Sequence, residues 1–98
     1  MAIQAFARRQ VERFFFEGVV PKGEGWSSVA RVAARKLDVL DYAARLSDMR
    51  APPGNRLEAL KGEFAGYHSI RINDQWRVVF RWEDGGPTAV DIVDYHKG

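Results

Sequence analysis

SIRINDQWRVVFRW, residues Ser69–Trp82, is the segment on which the architecture turns. From Gln75 to Trp82 the bulky apolar residues Trp76, Val78, Phe80 and Trp82 take every second position, while Gln75, Arg77 and Arg81 point the other way. A period of two belongs to a β-strand, whose successive side chains leave opposite faces, so one face packs and the other is polar. The preceding residues repeat the pattern over Tyr67–Asn73, with Ile70 and Ile72 inward and Tyr67, Ser69 and Arg71 outward. His68 falls on the Ile70 side, as a packing or hydrogen-bonded residue. Asn73-Asp74 supplies a tight turn between these strands. Asp84-Gly85-Gly86-Pro87 turns into a third strand over Thr88–Tyr95, and a further short strand is expected over Arg56–Leu60.

Toward the N-terminus the period lengthens. RRQVERFFFEG, from Arg8, reads as a helix ending at Gly18, the residue type best suited to the left-handed conformation of a helix C-terminus. A loop with Pro21, Gly23 and Gly25 follows. A second helix is then expected from Ser27 or Ser28, either able to cap it, with Val29, Val32, Ala33, Leu37, Leu40, Ala44 and Leu46 along one buried face. It stops before Ala51-Pro52-Pro53-Gly54, because proline lacks an amide donor and restricts its predecessor. Residues 2–6, AIQAF, alternate loosely enough for a short edge strand. Consecutive antiparallel strands are usually neighbours, so the helices cover one face of the sheet and leave the other open. The class implied is α+β: two N-terminal helices packed on a small, mainly antiparallel β-sheet.

At 98 residues the chain fits one domain, 1–98, and its 46% hydrophobic content is enough to form a core. The absence of cysteine removes disulfides, thiol nucleophiles and thiolate metal sites, and suits a reducing cytoplasm. With charges as early as Arg8 and Arg9 and no apolar run near the roughly 20 residues of a span, neither a signal peptide nor a membrane partner is expected. A net charge of +2 is too small to announce a nucleic-acid binder by itself. Residues 1–54 hold nine Lys/Arg against six Asp/Glu, and residues 55–98 hold six against seven, so polyanion contacts from the second half need placed arginines.

On the open face, Arg71, Arg77 and Arg81 join Lys61 in a glycine-containing loop, and arginine's planar fork can hold two phosphate oxygens at once. Arg31, Arg35 and Lys36 lie opposite the buried face of the second helix, with Arg8, Arg9 and Arg13 before them. They offer a basic surface; a solvated helix face is the simpler account. Asp94-Tyr95-His96 adds a histidine able to exchange protons near neutral pH. Two histidines without cysteine and with dispersed carboxylates do not suggest a metal site, and no cofactor is expected. Composition and spacing by themselves lead only as far as a small α+β domain with a candidate anion-binding sheet face.

NRLEALKG at Asn55–Gly62, SIRIN at Ser69–Asn73, QWRVVFRW at Gln75–Trp82 and IVDYH at Ile92–His96 occur in the order and spacing of HigB toxins of the RelE superfamily, which the chain resembles. ARKLDVLDYAARLSDMRAPPGN at Ala34–Asn55 is similar to that family's long helix and its exit. The resemblance implies a RelE-like fold and a toxin that enters the ribosomal 30S A site and cuts mRNA, leaving a cyclic phosphate and a free 5′-hydroxyl. It implies a HigA-type helix-turn-helix antitoxin as partner, through which operator DNA is bound indirectly. Carried over residue by residue, Arg71 and Arg77 hold the scissile phosphate with Lys61 in support and Arg81 as a weaker candidate. Asp94, Tyr95 and His96 form the catalytic C-terminal cluster.

One departure stands out: Glu58 occupies a position where some HigB toxins have histidine. It replaces that histidine as general base, or marks a milder enzyme, or is an exposed strand residue. The alternatives to an endoribonuclease are a noncatalytic antitoxin-binding partner that modulates operon repression, and an A-site binder with weak cleavage.

Overall fold

The computed structural model describes residues 2–95. Helices α1 (Arg9–Glu17) and α2 (Ala30–Tyr42) precede strands β1 (Glu58–Ala59), β2 (Tyr67–Arg71), β3 (Trp76–Glu83) and β4 (Gly86–Asp94). Each strand pairs antiparallel with the next, in the spatial order β1-β2-β3-β4. The N-terminal segment runs parallel beside β4 through a bridge of Phe6 to Val90, with Ala7 N–H donating to Val90 O at 2.9 Å and Val90 N–H to Ala5 O at 3.1 Å. The architecture is therefore the expected α+β one.

The alternation in β3 does what its period dictates: Val78 and Phe80 are fully buried with Ile70 and Ile92. Val11 and Phe14 of α1 and Ala33, Leu37 and Leu40 of α2 close the same core, and Phe14 meets Trp26 edge-on at 4.9 Å between centroids. Burial of each large apolar side chain contributes about 1.5–3 kcal/mol. Gly18 ends α1 at φ 72, its N–H donating to Phe14 O at 3.0 Å, as its position in the sequence suggests. His68 lies on the core side, stacked on Phe80.

The second helix is shorter than its apolar spacing suggests. Ser27 and Ser28 sit inside a 3-10 turn over Gly25–Val29 and do not cap α2. The Ser27 hydroxyl donates to Pro21 O at 2.6 Å and Ser28 to Gly25 O at 3.3 Å, so both are spent on the loop. Gly25 lies against the Trp76 ring, where a Cβ would come within 2.4 Å. At the other end Ala43 is extended, and the Asp48 carboxylate accepts from Ala44 N–H at 2.9 Å and Arg45 N–H at 3.1 Å. That capture starts a separate 3-10 turn over Leu46–Arg50 and leaves Ala44 and Leu46 outside the helix.

The strands also shift at their ends. β2 stops at Arg71 because Asn73 Oδ1 accepts from Gln75 N–H at 2.9 Å and Trp76 N–H at 2.7 Å, which organises a turn wider than the two residues expected. β4 starts two residues early, at Gly86. Between β3 and β4 the register slips: Val79 pairs with Asp91 but Arg81 with Thr88, so β4 carries one extra residue there. Ala89, at φ 51, lies within this bulge.

Candidate functional site

The face of the sheet away from the helices is not open along its whole length. After β1 the chain makes a 3-10 turn over Gly62–Phe64, and Leu60, Lys61 and Phe64 form one side of a groove of about 370 Å³. Ser69, Arg77, Val79, Val93, Asp94 and Tyr95 line the rest. Val79, on the polar side of the alternation, is 1% exposed although it lies outside the main core cluster.

Arg77 is the centre of this groove, and it is buried at 5% exposure, not the solvated cation that alternation alone suggests. Its Nη1 donates to Arg56 O at 3.2 Å and Ser69 Oγ at 3.3 Å, and its Nη2 lies 3.2 Å from Glu58 Oε1. The Tyr95 ring lies 4.3 Å from the guanidinium carbon, a cation–π contact. Arg77 Nε is buried with no hydrogen-bond partner among the described residues. The guanidinium is thus held by strands β1 and β2, the Arg56 backbone and the chain end after β4. Removing a buried arginine's partners would leave its charge uncompensated, so the surrounding groups enforce one orientation.

The other predicted residues divide. Arg71 stands opposite Arg77 in the β2–β3 register and pairs with Asp74 at 2.6 Å. Lys61 is exposed on the groove wall. Glu58, 43% exposed at its side chain, is both ion-pair partner of Arg77 and accessible to solvent. Asp94 accepts from Gln75 Nε2 at 3.0 Å, and Tyr95 N–H donates to Gln75 O at 2.6 Å, tying the chain end to the β3 start. Arg81 lies over Tyr67, 5.4 Å from the ring centroid, and is not among the groove-lining residues. His96 lies outside the described residues.

The α2 cations are not one surface. Arg31 borders the crevice between α1 and α2 with Phe15 and Asp38, and Arg35 is exposed. Lys36 instead donates to Asn55 Oδ1 at 2.5 Å. Its ammonium is held below the ordinary lysine range by burial first, and then by Arg35 and Arg71. Ser69 and Asn55 take parts that sequence reasoning did not assign. Ser69 was legible as an outward residue of β2, whereas Asn55 gave no signal beyond its place after a proline-rich turn. Among the described residues no three His, Cys, Asp or Glu side chains gather as a possible metal group, and no helix is long and apolar enough to cross a membrane.

Residues 4–96 match the family model described as the RelE-like toxin of type II toxin-antitoxin system HigB. The chain is 51% identical over 59 residues to "Toxin HigB-1" of Vibrio cholerae, a match covering 60% of this chain and 62% of that protein. It is 29% identical over 94 residues to "Endoribonuclease HigB" of Proteus vulgaris, covering 96% and 99%. Among solved structures, the "YoeB/ParE toxin from Agrobacterium tumefaciens" superposes with a TM-score of 0.50 at 21% identity, over 96% of this chain and 94% of the other, a likeness of fold.

Proposed function

The chain belongs to the HigB family of RelE-like toxins of type II toxin-antitoxin systems, and on that premise we propose that it is an endoribonuclease that cuts mRNA in the ribosomal A site. The buried, pre-oriented Arg77 at the floor of the groove carries the proposal. A positive group fixed before the substrate arrives stabilises charge as it develops, without reorganisation at the moment of reaction. The relative in Proteus vulgaris that aligns along nearly its whole length is named an endoribonuclease.

In the reaction the ribose 2′-oxygen attacks the adjacent phosphorus and the bond to the 5′-oxygen breaks, leaving a cyclic phosphate and a 5′-hydroxyl. Arg77, supported by Lys61 and Arg71, holds the phosphate oxygens as negative charge builds. The incoming phosphate competes with Glu58 for the guanidinium. Glu58, freed from Arg77, takes the 2′-proton, and His96 delivers a proton to the leaving 5′-oxygen. Tyr95 keeps Arg77 under its ring and presents its exposed side to a base, while Asp94 fixes the chain end through Gln75. Arg31, Arg35 and Arg81 serve more distant RNA backbone. The partner that silences the toxin is a HigA-type helix-turn-helix antitoxin, which carries it to operator DNA.

Mapping transcript 5′ ends after induced expression tests this, comparing wild type with Arg77→Ala, His96→Ala and Glu58→Gln. New ends with wild type, lost or strongly reduced in all three variants, are expected. Growth arrest with no new ends, unchanged by Arg77→Ala, overturns the endoribonuclease and leaves an A-site binder. Neither arrest nor cuts leaves an antitoxin-binding repression partner.

A further inference from the structure

Lys36 belongs by sequence to the basic face of α2, yet its ammonium turns to Asn55 Oδ1 at 2.5 Å. Asn55 is fully buried, and its Nδ2 donates to Met49 O at 3.2 Å and Ala51 O at 3.1 Å. Both ends of the amide are therefore engaged, and its backbone N–H donates to Pro52 O at 2.9 Å. A buried amide lacking one of these partners would lose the compensation for its desolvation. The next residue, Arg56, stands at φ 47 and ψ 58, the left-handed region that residues with a Cβ rarely occupy. The Arg56 carbonyl is the one that accepts from Arg77 Nη1 at 3.2 Å. A line of direct contacts thus runs from α2 to the groove.

We propose that Lys36 and Asn55 are positioning residues for Arg77: they pin Arg56 in its left-handed conformation and so set the direction of the carbonyl that holds the guanidinium. This rests on the reading of Arg77 as the phosphate-binding group. Lys36 then acts through the protein and not on RNA. Its setting agrees, because an ammonium placed among Arg35 and Arg71 and partly withdrawn from water sits against its electrostatic preference. A phosphate-gripping lysine extends its ammonium outward, whereas this half-buried one turns it to a buried acceptor.

Lys36→Met removes the donor and keeps the aliphatic stem; Lys36→Arg keeps the charge but replaces the compact ammonium by a planar fork. Both full-length variants are assayed for kcat and KM in cleavage of mRNA on programmed ribosomes. In parallel, the Nε–H signal of Arg77, identified by its disappearance in Arg77→Lys, is followed by NMR in the free protein. Both Lys36 variants should lower kcat about tenfold with KM within about twofold, since small displacements of a catalytic group act on the chemical step. Both should also move the Arg77 signal. In an Arg77→Ala background, Lys36→Met should have no further effect on kcat.

A direct RNA contact gives another pattern, which overturns the proposal: Lys36→Met raises KM, Lys36→Arg matches wild type, and the Arg77 signal stays in place. If Lys36→Met does not fold, Lys36→Arg alone decides between these patterns. If wild type cuts no RNA, the endoribonuclease reading fails, and the NMR signal still accepts or rejects the positioning role.

Discussion

The two faces of the β-sheet are held by different physics. The helix-facing side is filled by Ile70, Val78, Phe80 and Ile92 against Leu37 and Leu40, all buried and apolar. Its stability is spread over many contacts, and no single group dictates the orientation of the rest. The groove side is organised around Arg77, with Ser69 and the Arg56 carbonyl at Nη1, Glu58 at Nη2 and the Tyr95 ring against the guanidinium. Damage to the first face should appear in folding, and damage to the second in chemistry.

Phe80→Ala is the strongest way to break that contrast. It should cost about 3–5 kcal/mol of stability, read by chemical denaturation, while cleavage per folded molecule stays near wild type. A large loss of activity in the folded fraction would mean the two faces are coupled. Arg77→Lys probes the other side: the charge remains but the fork is lost, and cleavage should fall about 100- to 1,000-fold with a much smaller change in the unfolding midpoint. Retained cleavage would show that a point charge suffices.

Tyr95 sharpens the comparison at a finer scale. Tyr95→Ala removes a cation–π contact worth about 0.5–1 kcal/mol at a partly exposed site, so a several-fold fall in cleavage is expected, and Tyr95→Phe should recover most of it. A loss as large in Tyr95→Phe would assign the hydroxyl a part in proton transfer. The smallest expected effect is one of pH. Lys36 titrates below its ordinary 10.5 in the folded chain, so in the window between its folded and unfolded values the unfolded chain binds more protons and stability rises with pH. Denaturation of wild type relative to Lys36→Met across that alkaline window should show the rise; a fall would reverse the assigned direction.

Much of the helix-facing side was legible in the sequence, because Trp76, Val78, Phe80 and Trp82 state a period that burial must obey. Gly18 was legible for a similar local reason. The end of α2 was not, since Asp48 competes for the free amides of Ala44 and Arg45 through contacts that no apolar spacing reveals. The groove was half legible. Alternation and family resemblance brought Arg71, Arg77, Glu58, Lys61 and Tyr95 to the same region, but the burial of Arg77 depends on chain segments far apart in sequence. Lys36 shows the limit most clearly: its place on the outer helix face suggests RNA, and its contact with Asn55 is a tertiary fact.

The extra residue in β4 is absorbed at the bulge without changing which faces the rest of the strand presents. Beyond Ala89, Val90 and Ile92 go to the core while Asp91, Val93 and Tyr95 share the side of Arg77. Deleting Ala89 would leave Thr88 opposite Arg81, Val90 opposite Phe80 and Asp91 opposite Val79, so the bulge would vanish and both sets would keep their faces. A one-residue deletion at the bulge is therefore compatible with the fold and the site together, whereas the same deletion in the regular pairing between Ile92 and Asp94 would send Tyr95 inward, a change of reading frame in three dimensions.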